Sequence, residues 1–198
     1  MRLIERIRAA VNARPPIEGL IAGDSIADRD IPPVPAAVLI AIVTGDEPGL
    51  ILTRRADHVR RHPGQIAFPG GRIDNTDAGA VAAALREAEE EIGLPPDRVE
   101  ILGGLDTYRT VTGFDIIPIA ALVPPKLPFA PAPDEVAAVF EVPLAYVLDP
   151  AHQQIRSMLW QGRQRQHYEI EWEGQRIWGA TAAILRGLYD RLYGDPPG

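Results

Sequence analysis

The sequence predicts an α/β sandwich in which helices pack on a mixed β-sheet. Apolar runs of strand length, such as residues 37–43, alternate along the chain with amphipathic helical segments. The 198 residues, 46% of them hydrophobic, are enough for one domain with a genuine core. No repeat or change of composition marks a second domain. We therefore expect residues 1–34 to form a helix and an irregular extension packed on a single domain of residues 35–198.

The first half of the chain predicts a helix followed by strands and a second helix. The expected elements are a helix over roughly residues 2–12, a Pro-rich stretch through Pro35, strands over 37–43, 50–54 and 65–68, and a helix over 78–92. Residues 75–77 offer N-cap side chains for this central helix. Gly93 suits the left-handed position after its end, and Pro95 and Pro96 prevent continuation.

The second half predicts further strands and a closing helix. The expected elements are strands over residues 99–108, 114–123 and 135–141, a Pro-dense loop over 124–133, a short helix over 144–148, a hairpin turning at Glu173-Gly174, and an amphipathic helix over 179–193. Strands mixed with helices in this order favour the sandwich over an all-α or all-β fold.

The composition excludes several classes of function. A formal net charge of −7 is opposite in sign to that of a general nucleic-acid-binding protein, so no nucleic-acid partner is expected. No apolar run reaches the length of a bilayer-spanning helix, so no membrane partner is expected either. The absence of cysteine excludes disulfides and thiolate chemistry and fits a reducing cytoplasm, the location we expect.

Positive charge is concentrated in one segment of this acidic chain. Four arginines and two histidines fall within nine residues: Arg54, Arg55, His58, Arg60, Arg61 and His62. The planar guanidinium group suits bidentate contact with phosphate. A solvated loop is the other interpretation of such a charge run.

The predicted central helix carries three carboxylates on one face. Each residue advances by about 100°, which places Glu87 and Glu91 about 40° apart, with Glu90 about 60° to the other side of Glu87 and Glu89 facing solvent. Like charges on one face are unfavourable unless a cation or an arginine compensates them. Oxygen ligands favour a hard ion, Mg²⁺ or Mn²⁺. The alternative is a solvated acidic face tempered by Arg86.

The residues around this helix resemble the signature of Nudix hydrolases, G-x5-E-x7-R-E-U-x-E-E-x-G-U, where U is bulky and aliphatic. The matching residues are Gly71, Asp77, Arg86-Glu87-Ala88, Glu90-Glu91 and Gly93-Leu94. Asp77 replaces the first Glu, eight rather than seven residues separate it from Arg86, and Ala88 is small for its position. The resemblance implies a Nudix-type α/β/α sandwich with a mixed sheet, and hydrolysis of a nucleoside diphosphate linked to another group.

The segment before the helix resembles the coenzyme A branch of that family. The pattern L-L-T-x-R-[SA]-x3-R-x3-G-x3-F-P-G-G is matched from Ile51 to Gly71, and Ile51 is its one change. Similar stretches extend the resemblance over most of the chain from about residue 35. This branch implies hydrolysis of coenzyme A, or of a CoA derivative, to 3′,5′-ADP and 4′-phosphopantetheine.

The resemblance also implies roles for particular residues. Glu87 and Glu91 would be the principal ligands of Mg²⁺ or Mn²⁺, with Glu90 and the Gly71 carbonyl as further ligands, and Arg86 would orient the carboxylates. The general base would be a glutamate of the central helix or Glu135. The substrate-binding residues would be Arg55, Arg60, Gly64, Gly70 and Gly71.

Other interpretations stay open. A Nudix hydrolase could act on ADP-ribose, NADH or an oxidised dNTP instead. A non-catalytic nucleotide sensor on the same fold, or a structural protein, would be a different class. Trp178 and Tyr108 would either stack on adenine or belong to the core. The expected partner is a small-molecule substrate, and residues 1–34 could pack on a second subunit to give a homodimer.

Overall fold

The computed structural model describes residues 2–13, 32–160 and 162–194. Its helices are α1 (Leu3–Ala13), α2 (Ala80–Ile92), α3 (Leu144–Leu148) and α4 (Ala180–Tyr193). Its strands are β1 (Val34–Val43), β2 (Gly49–Arg55), β3 (Ile66–Ala67), β4 (Gly70–Arg72), β5 (Glu100–Gly104), β6 (Tyr108–Arg109), β7 (Phe114–Val123), β8 (Val136–Pro143), β9 (Gln154–Trp160), β10 (Arg163–Trp172) and β11 (Gln175–Trp178). Most of the predicted Pro-rich stretch lies outside the described residues.

The strands form two sheets. The larger has the order β3-β2-β1-β7-β5, with β4 beside β1, β6 beside β7 and β8 beside β2. Strands β1 and β7 run parallel, whereas the other pairs in this sheet are antiparallel. The smaller sheet is antiparallel with the order β11-β10-β9. The mixed sheet predicted from the sequence is therefore confirmed.

Two hydrophobic cores lie on opposite faces of the larger sheet. Successive side chains of a strand point to opposite faces, so Ile40 and Ile42 of β1 pack with α1, α3 and α4, whereas Leu39 and Ala41 pack with α2. Helices thus cover both faces, which confirms the α/β/α sandwich. No helix in the described ranges combines the length and the apolar character needed to cross a bilayer.

The ends of α2 agree only in part with the prediction. Gly93 adopts the left-handed conformation with φ 66°, and its N–H donates to the Glu89 carbonyl, as expected of a residue that ends a helix. The N-cap is Gly79, which has no side chain to offer, so the prediction of a cap at residues 75–77 is wrong.

Strand predictions were correct for the long apolar runs and for the short strand β3 at residues 66–67, and they were incomplete elsewhere. Residues 114–123 form β7 as predicted, but the single strand predicted over 99–108 is divided into β5 and β6. Strand β9 and most of β10 were not predicted, because the apolar residues of β9 do not alternate and residues 163–167 of β10 are polar. The predicted turn at Glu173-Gly174 is confirmed, with both residues at positive φ.

Candidate active site

Two glycines of β4 bring the backbone against the carboxylates of α2. The Gly70 N–H donates to Glu91 Oε2 at 3.1 Å. A Cβ on Gly71 would lie 2.5 Å from Glu87 Oε1, and one on Gly70 would lie 2.4 Å from the Ala37 carbonyl oxygen. At residue 71 a Cβ would displace the end of the flexible Glu87 side chain, whereas at residue 70 it would meet backbone, so glycine is required at 70 for this close approach.

Glu91 is a buried carboxyl with few partners. Its side chain is 4% exposed, and Arg55 NH1 lies 3.9 Å from its Oε1. Burial raises the pKa of Glu91 from 4.5 to about 7, the charges of Glu87 and Glu135 add to the rise, and the Gly70 N–H and Arg55 oppose it. Ionisation of this carboxyl therefore costs free energy, and a nearby cation would reduce that cost.

Arg86 connects the loop before α2 to two of its glutamates. Its Nε and NH2 donate to the two carboxylate oxygens of Asp77, each at 3.0 Å. Its NH1 donates to Glu87 Oε1 at 3.0 Å and to Glu90 Oε2 at 2.9 Å, and its NH2 also donates to the Arg72 carbonyl at 3.1 Å. The hydrogen bonds from Arg86 lower the pKa of Asp77. Asp77, which departs from the signature, thus contacts the signature arginine directly.

The structure divides the three carboxylates predicted to share a face. Glu87 and Glu91 turn toward β4, and burial raises the pKa of Glu87 although Arg86 opposes the rise. The Glu90 side chain is 60% exposed and accepts a hydrogen bond from Arg86. Glu89 is exposed, as predicted. Across the described ranges, no group of three or more acidic or histidine side chains is arranged to hold a metal ion.

A cleft of about 440 Å³ opens beside Gly70 and Gly71. The lining residues that carry or can carry positive charge are Arg55, Arg61, His62, Arg72, Arg165 and His167. None of the lining residues in the described chain is acidic. In a protein with net charge −7, a cleft of this composition is suited to an anionic ligand.

Apolar side chains line the rest of the cleft. They include Phe68, Phe114, Met158, Trp178 and Ile184. A few polar groups set among apolar ones are typical of sites that bind an organic ligand in a fixed orientation. The cleft can therefore hold a ligand that is part anion and part organic group.

The predicted substrate-binding residues are only partly brought together. Arg55, Gly70 and Gly71 line the cleft, but Arg60 is exposed and Arg61 lines the cleft in its place. Gly64, at φ 67°, shapes the loop without lining the cleft.

Glu135 lies near the carboxylates of α2. It precedes β8, its side chain is exposed, and its carbonyl accepts from the Ala56 N–H at 2.8 Å. Its charge contributes to the raised pKa of both Glu87 and Glu91. The structure thus places this predicted residue within electrostatic reach of the pair.

The two predicted aromatic residues have different positions. Trp178 lines the cleft, whereas Tyr108 is 1% exposed and packs in the core. Stacking of Tyr108 on a ligand is therefore excluded. Sequence reasoning did not find Arg72, Arg165 or His167. Arg165 and His167 are two residues apart on β10, a spacing that places both side chains on one face of a strand. The sequence could have indicated this shared face, but most of β10 was not predicted.

The family model of the NUDIX domain matches residues 33–161. The chain belongs to the Nudix hydrolase family. It is similar to the uncharacterized Nudix hydrolase NudL of Escherichia coli K12 and to that of Salmonella paratyphi B, with 47% identity over 153 residues in each case. These matches cover 77% of this chain and 80% of each relative. The family predicted from the signature is thus confirmed.

Among solved structures, the Nudix fold of the chain is similar to that of a MutT protein from Methanosarcina mazei Go1. The TM-score is 0.48 at 20% identity, and the match covers 60% of this chain and 83% of the other.

Nudix hydrolases act on nucleoside diphosphate derivatives and generally use divalent metal cations. The residues of this chain fit such an ion. Glu87 and Glu91 supply oxygen ligands whose ionisation is opposed by burial, and Gly71 brings its backbone against Glu87. A hard cation would remove the repulsion between the two carboxylates.

Proposed function

We propose that this Nudix hydrolase cleaves the diphosphate bond of coenzyme A, or of a CoA derivative, to give 3′,5′-ADP and 4′-phosphopantetheine. The observation that carries the proposal is the arginine-lined cleft that includes Gly70 and Gly71. These two glycines also lie against the carboxylates of Glu91 and Glu87 on α2. A diphosphate in the cleft would lie against that backbone. The motif from Ile51 to Gly71 supports CoA as the substrate.

The proposed metal ligands are Glu87 and Glu91, with Glu90 and the Gly71 carbonyl as further ligands. Bound Mg²⁺ or Mn²⁺ would neutralise the diphosphate and make the attacking water more acidic. Arg86 keeps the Glu87 and Glu90 carboxylates in place through NH1. Glu90 would need to leave this exposed position to reach the ion directly, so we assign it a contact through water.

The arginines of the cleft would hold the substrate. Arg55, Arg61 and Arg72 line the cleft together with Gly70 and Gly71, and their guanidinium groups offer donors to phosphate oxygens. Arg60 remains a proposed contact from the exposed part of the same loop. The proton of the attacking water would pass to a glutamate of α2 or to Glu135, whose charge acts on Glu91.

The test is product analysis after CoA is incubated with the protein and Mg²⁺ or Mn²⁺. We expect 3′,5′-ADP and 4′-phosphopantetheine in equal amounts, and loss of turnover with a chelator. A panel with ADP-ribose, NADH and oxidised dNTPs should rank CoA first by kcat/KM. A higher value for any of these would reject CoA as the preferred substrate.

A matched pair of variants tests the carboxylate assignment. Glu87→Gln should lower kcat by about a hundred-fold or more, because it removes a charged ligand at the reacting group. Glu89→Gln, on the same helix but exposed, should leave kcat unchanged. Full activity of Glu87→Gln would show that the carboxylate assignment is wrong.

The location and the assembly are further parts of the proposal. We assign the enzyme to the cytoplasm and expect a homodimer. Ile155 and Leu159 of β9 are 59% and 75% exposed and provide apolar surface that supports association. Light scattering of the purified protein should give the mass of two chains, and a single-chain mass would reject the dimer.

A further inference from the structure

The wall of the cleft formed by the smaller sheet contains polar groups without a protein partner. His167 is 8% exposed, and its Nδ1 has no hydrogen-bond partner. Arg165 NH1 is also buried and unpartnered. Both residues line the cleft. A buried polar group without a partner costs about 1–3 kcal/mol, so a pair of them facing one cleft indicates a ligand that supplies the missing partner.

The geometry of β10 places these two groups side by side. Residues two apart on a strand point to the same face and are separated by roughly 7 Å. Arg165 is paired with Met158 of β9, and His167 with Arg156. A tetrahedral anion such as a phosphate monoester has enough oxygen atoms to accept from both side chains.

The surroundings of His167 maintain a positive potential at this wall. Its Nε2 lies 3.5 Å from Glu169 Oε2 and 3.4 Å from Arg176 NH2. Glu169 also accepts from Arg176 Nε at 2.5 Å, and Arg156 Nε lies 3.9 Å from its other oxygen. The Glu169 carboxylate therefore faces two arginines and a histidine, which leaves this face with excess positive charge.

An aromatic ring lies beside the same pair. The Trp178 ring centroid is 5.6 Å from that of His167 and has the Arg176 guanidinium 4.7 Å from its centre. Trp178 also lines the cleft. This wall thus offers apolar surface next to cationic donors, as a nucleotide with a phosphate on its ribose requires.

We propose that Arg165 and His167 bind a second phosphate of the substrate, the monoester on the ribose, and not the diphosphate that is cleaved. The inference rests on the proposed function, because that function places the diphosphate at the β4 wall beside Gly70 and Gly71. The smaller sheet forms a different wall of the same cleft. The two walls would then recognise the two anionic groups of one ligand.

The test compares CoA with dephospho-CoA, which lacks this phosphate. Arg165→Gln should lower kcat/KM for CoA by about ten- to a hundred-fold, the loss expected for one charged hydrogen bond, and change that for dephospho-CoA less than about three-fold. Arg165→Lys should recover part of the loss because it keeps the charge. Arg98→Gln removes the same charge from an exposed site outside the cleft lining, so it is the matched control and should leave both values unchanged.

Binding measurements separate this inference from the proposed activity. Wild type should bind 3′,5′-ADP more tightly than 5′-AMP by calorimetry, and Arg165→Gln and His167→Asn should each remove that preference. An equal loss on both substrates, or no preference in wild type, would overturn the inference even if CoA is hydrolysed. A retained preference without CoA turnover would support the phosphate site and reject the proposed activity.

If Arg165→Gln does not fold, judged by its circular dichroism, the comparison uses His167→Asn. Its loss of discrimination between CoA and dephospho-CoA supports the site, and unchanged discrimination rejects it.

Discussion

The burial of Glu91 beside Glu87 is unfavourable for the protein in the absence of a cation. Glu91 is buried and Glu87 is half-buried. The charge of Glu87 raises the pKa of Glu91, and the charge of Glu135 raises the pKa of both. Carboxyls with strongly shifted pKa values cluster at functional sites, because the reaction there needs charged groups in positions where burial disfavours the charge.

The stability of the metal-free protein should therefore depend on pH through Glu91. Its folded pKa is about 7 against an ordinary 4.5, so between these values the folded state keeps a proton that the unfolded chain has lost. The free energy of unfolding should fall by about 3 kcal/mol as pH rises through this window. Glu91→Gln cannot ionise and should not show this fall.

Urea denaturation with a chelator at pH 5 and pH 8 measures the difference. Glu89→Gln, which is exposed, should behave like wild type. Parallel pH dependence of wild type and Glu91→Gln would contradict the predicted cost of ionising Glu91.

Gly71 should be needed for activity more than for stability. The Cβ of Gly71→Ala would lie 2.5 Å from Glu87 Oε1, at the end of a flexible side chain that can move away. Displacement of that carboxylate should lower CoA hydrolysis by about a hundred-fold with little change in Tm.

Substitutions of two further glycines serve as comparisons for Gly71→Ala. Gly70→Ala should lower Tm, because its Cβ would meet the backbone of Ala37 at 2.4 Å. Gly45→Ala should change neither activity nor Tm, since its nearest contact is at 3.9 Å. Wild-type activity in Gly71→Ala would contradict the close approach to Glu87.

At the scale of elements, one arginine joins the terminal helices. Arg191 of α4 donates from Nε to the Ala10 carbonyl at 3.0 Å and from NH2 to the Val11 carbonyl at 3.1 Å. Its NH1 donates to Asp106 at 2.9 Å, and its side chain is 2% exposed. Arg191 thus satisfies carbonyls at the C-terminal end of α1, which have no partner within the helix.

Removal of this arginine should destabilise the fold without affecting the cleft. Arg191→Ala removes a buried charged donor from Asp106 and from the α1 carbonyls, so unfolding should become easier by about 3 kcal/mol or more. Arg8→Ala, which breaks an exposed pair with Glu100, is the control and should leave Tm unchanged. Calorimetry compares the three proteins, and equal Tm values would contradict the role of Arg191.

Elements were predictable from the sequence where burial imposes a pattern. Strand β7 is covered on both faces and reads as a continuous apolar run, and α2 combines helix-forming residues with a glycine at its end. Strands β9 and β10 were harder to recognise, because the apolar residues of β9 do not alternate and residues 163–167 of β10 are all polar. Only Tyr168, Ile170 and Trp172 give an alternating pattern, and these side chains pack with the core. β4 is three residues long and is held by β1, which is distant in sequence, and β6 is only two residues long.

At the scale of the whole molecule, the reaction class was easier to predict than the complete site. Glu87 and Glu91 follow a local spacing on one helix, and the motif around Arg55 is continuous in sequence. Arg165 and His167 are about a hundred residues away and reach the cleft only because β10 packs beside it. Contacts of this kind depend on tertiary packing, which spacing along the chain does not encode.

The hydrogen bonds of Arg86 allow folding and metal binding to occur as separate events. This arginine already compensates Glu87 and Glu90, and Glu91 can stay protonated near neutral pH, so the chain can complete folding before any ion arrives. Proteins that need a metal to fold are unfolded when a chelator removes it. Here the ion would be exchangeable, and the rate of turnover would follow the free concentration of divalent cation around the protein.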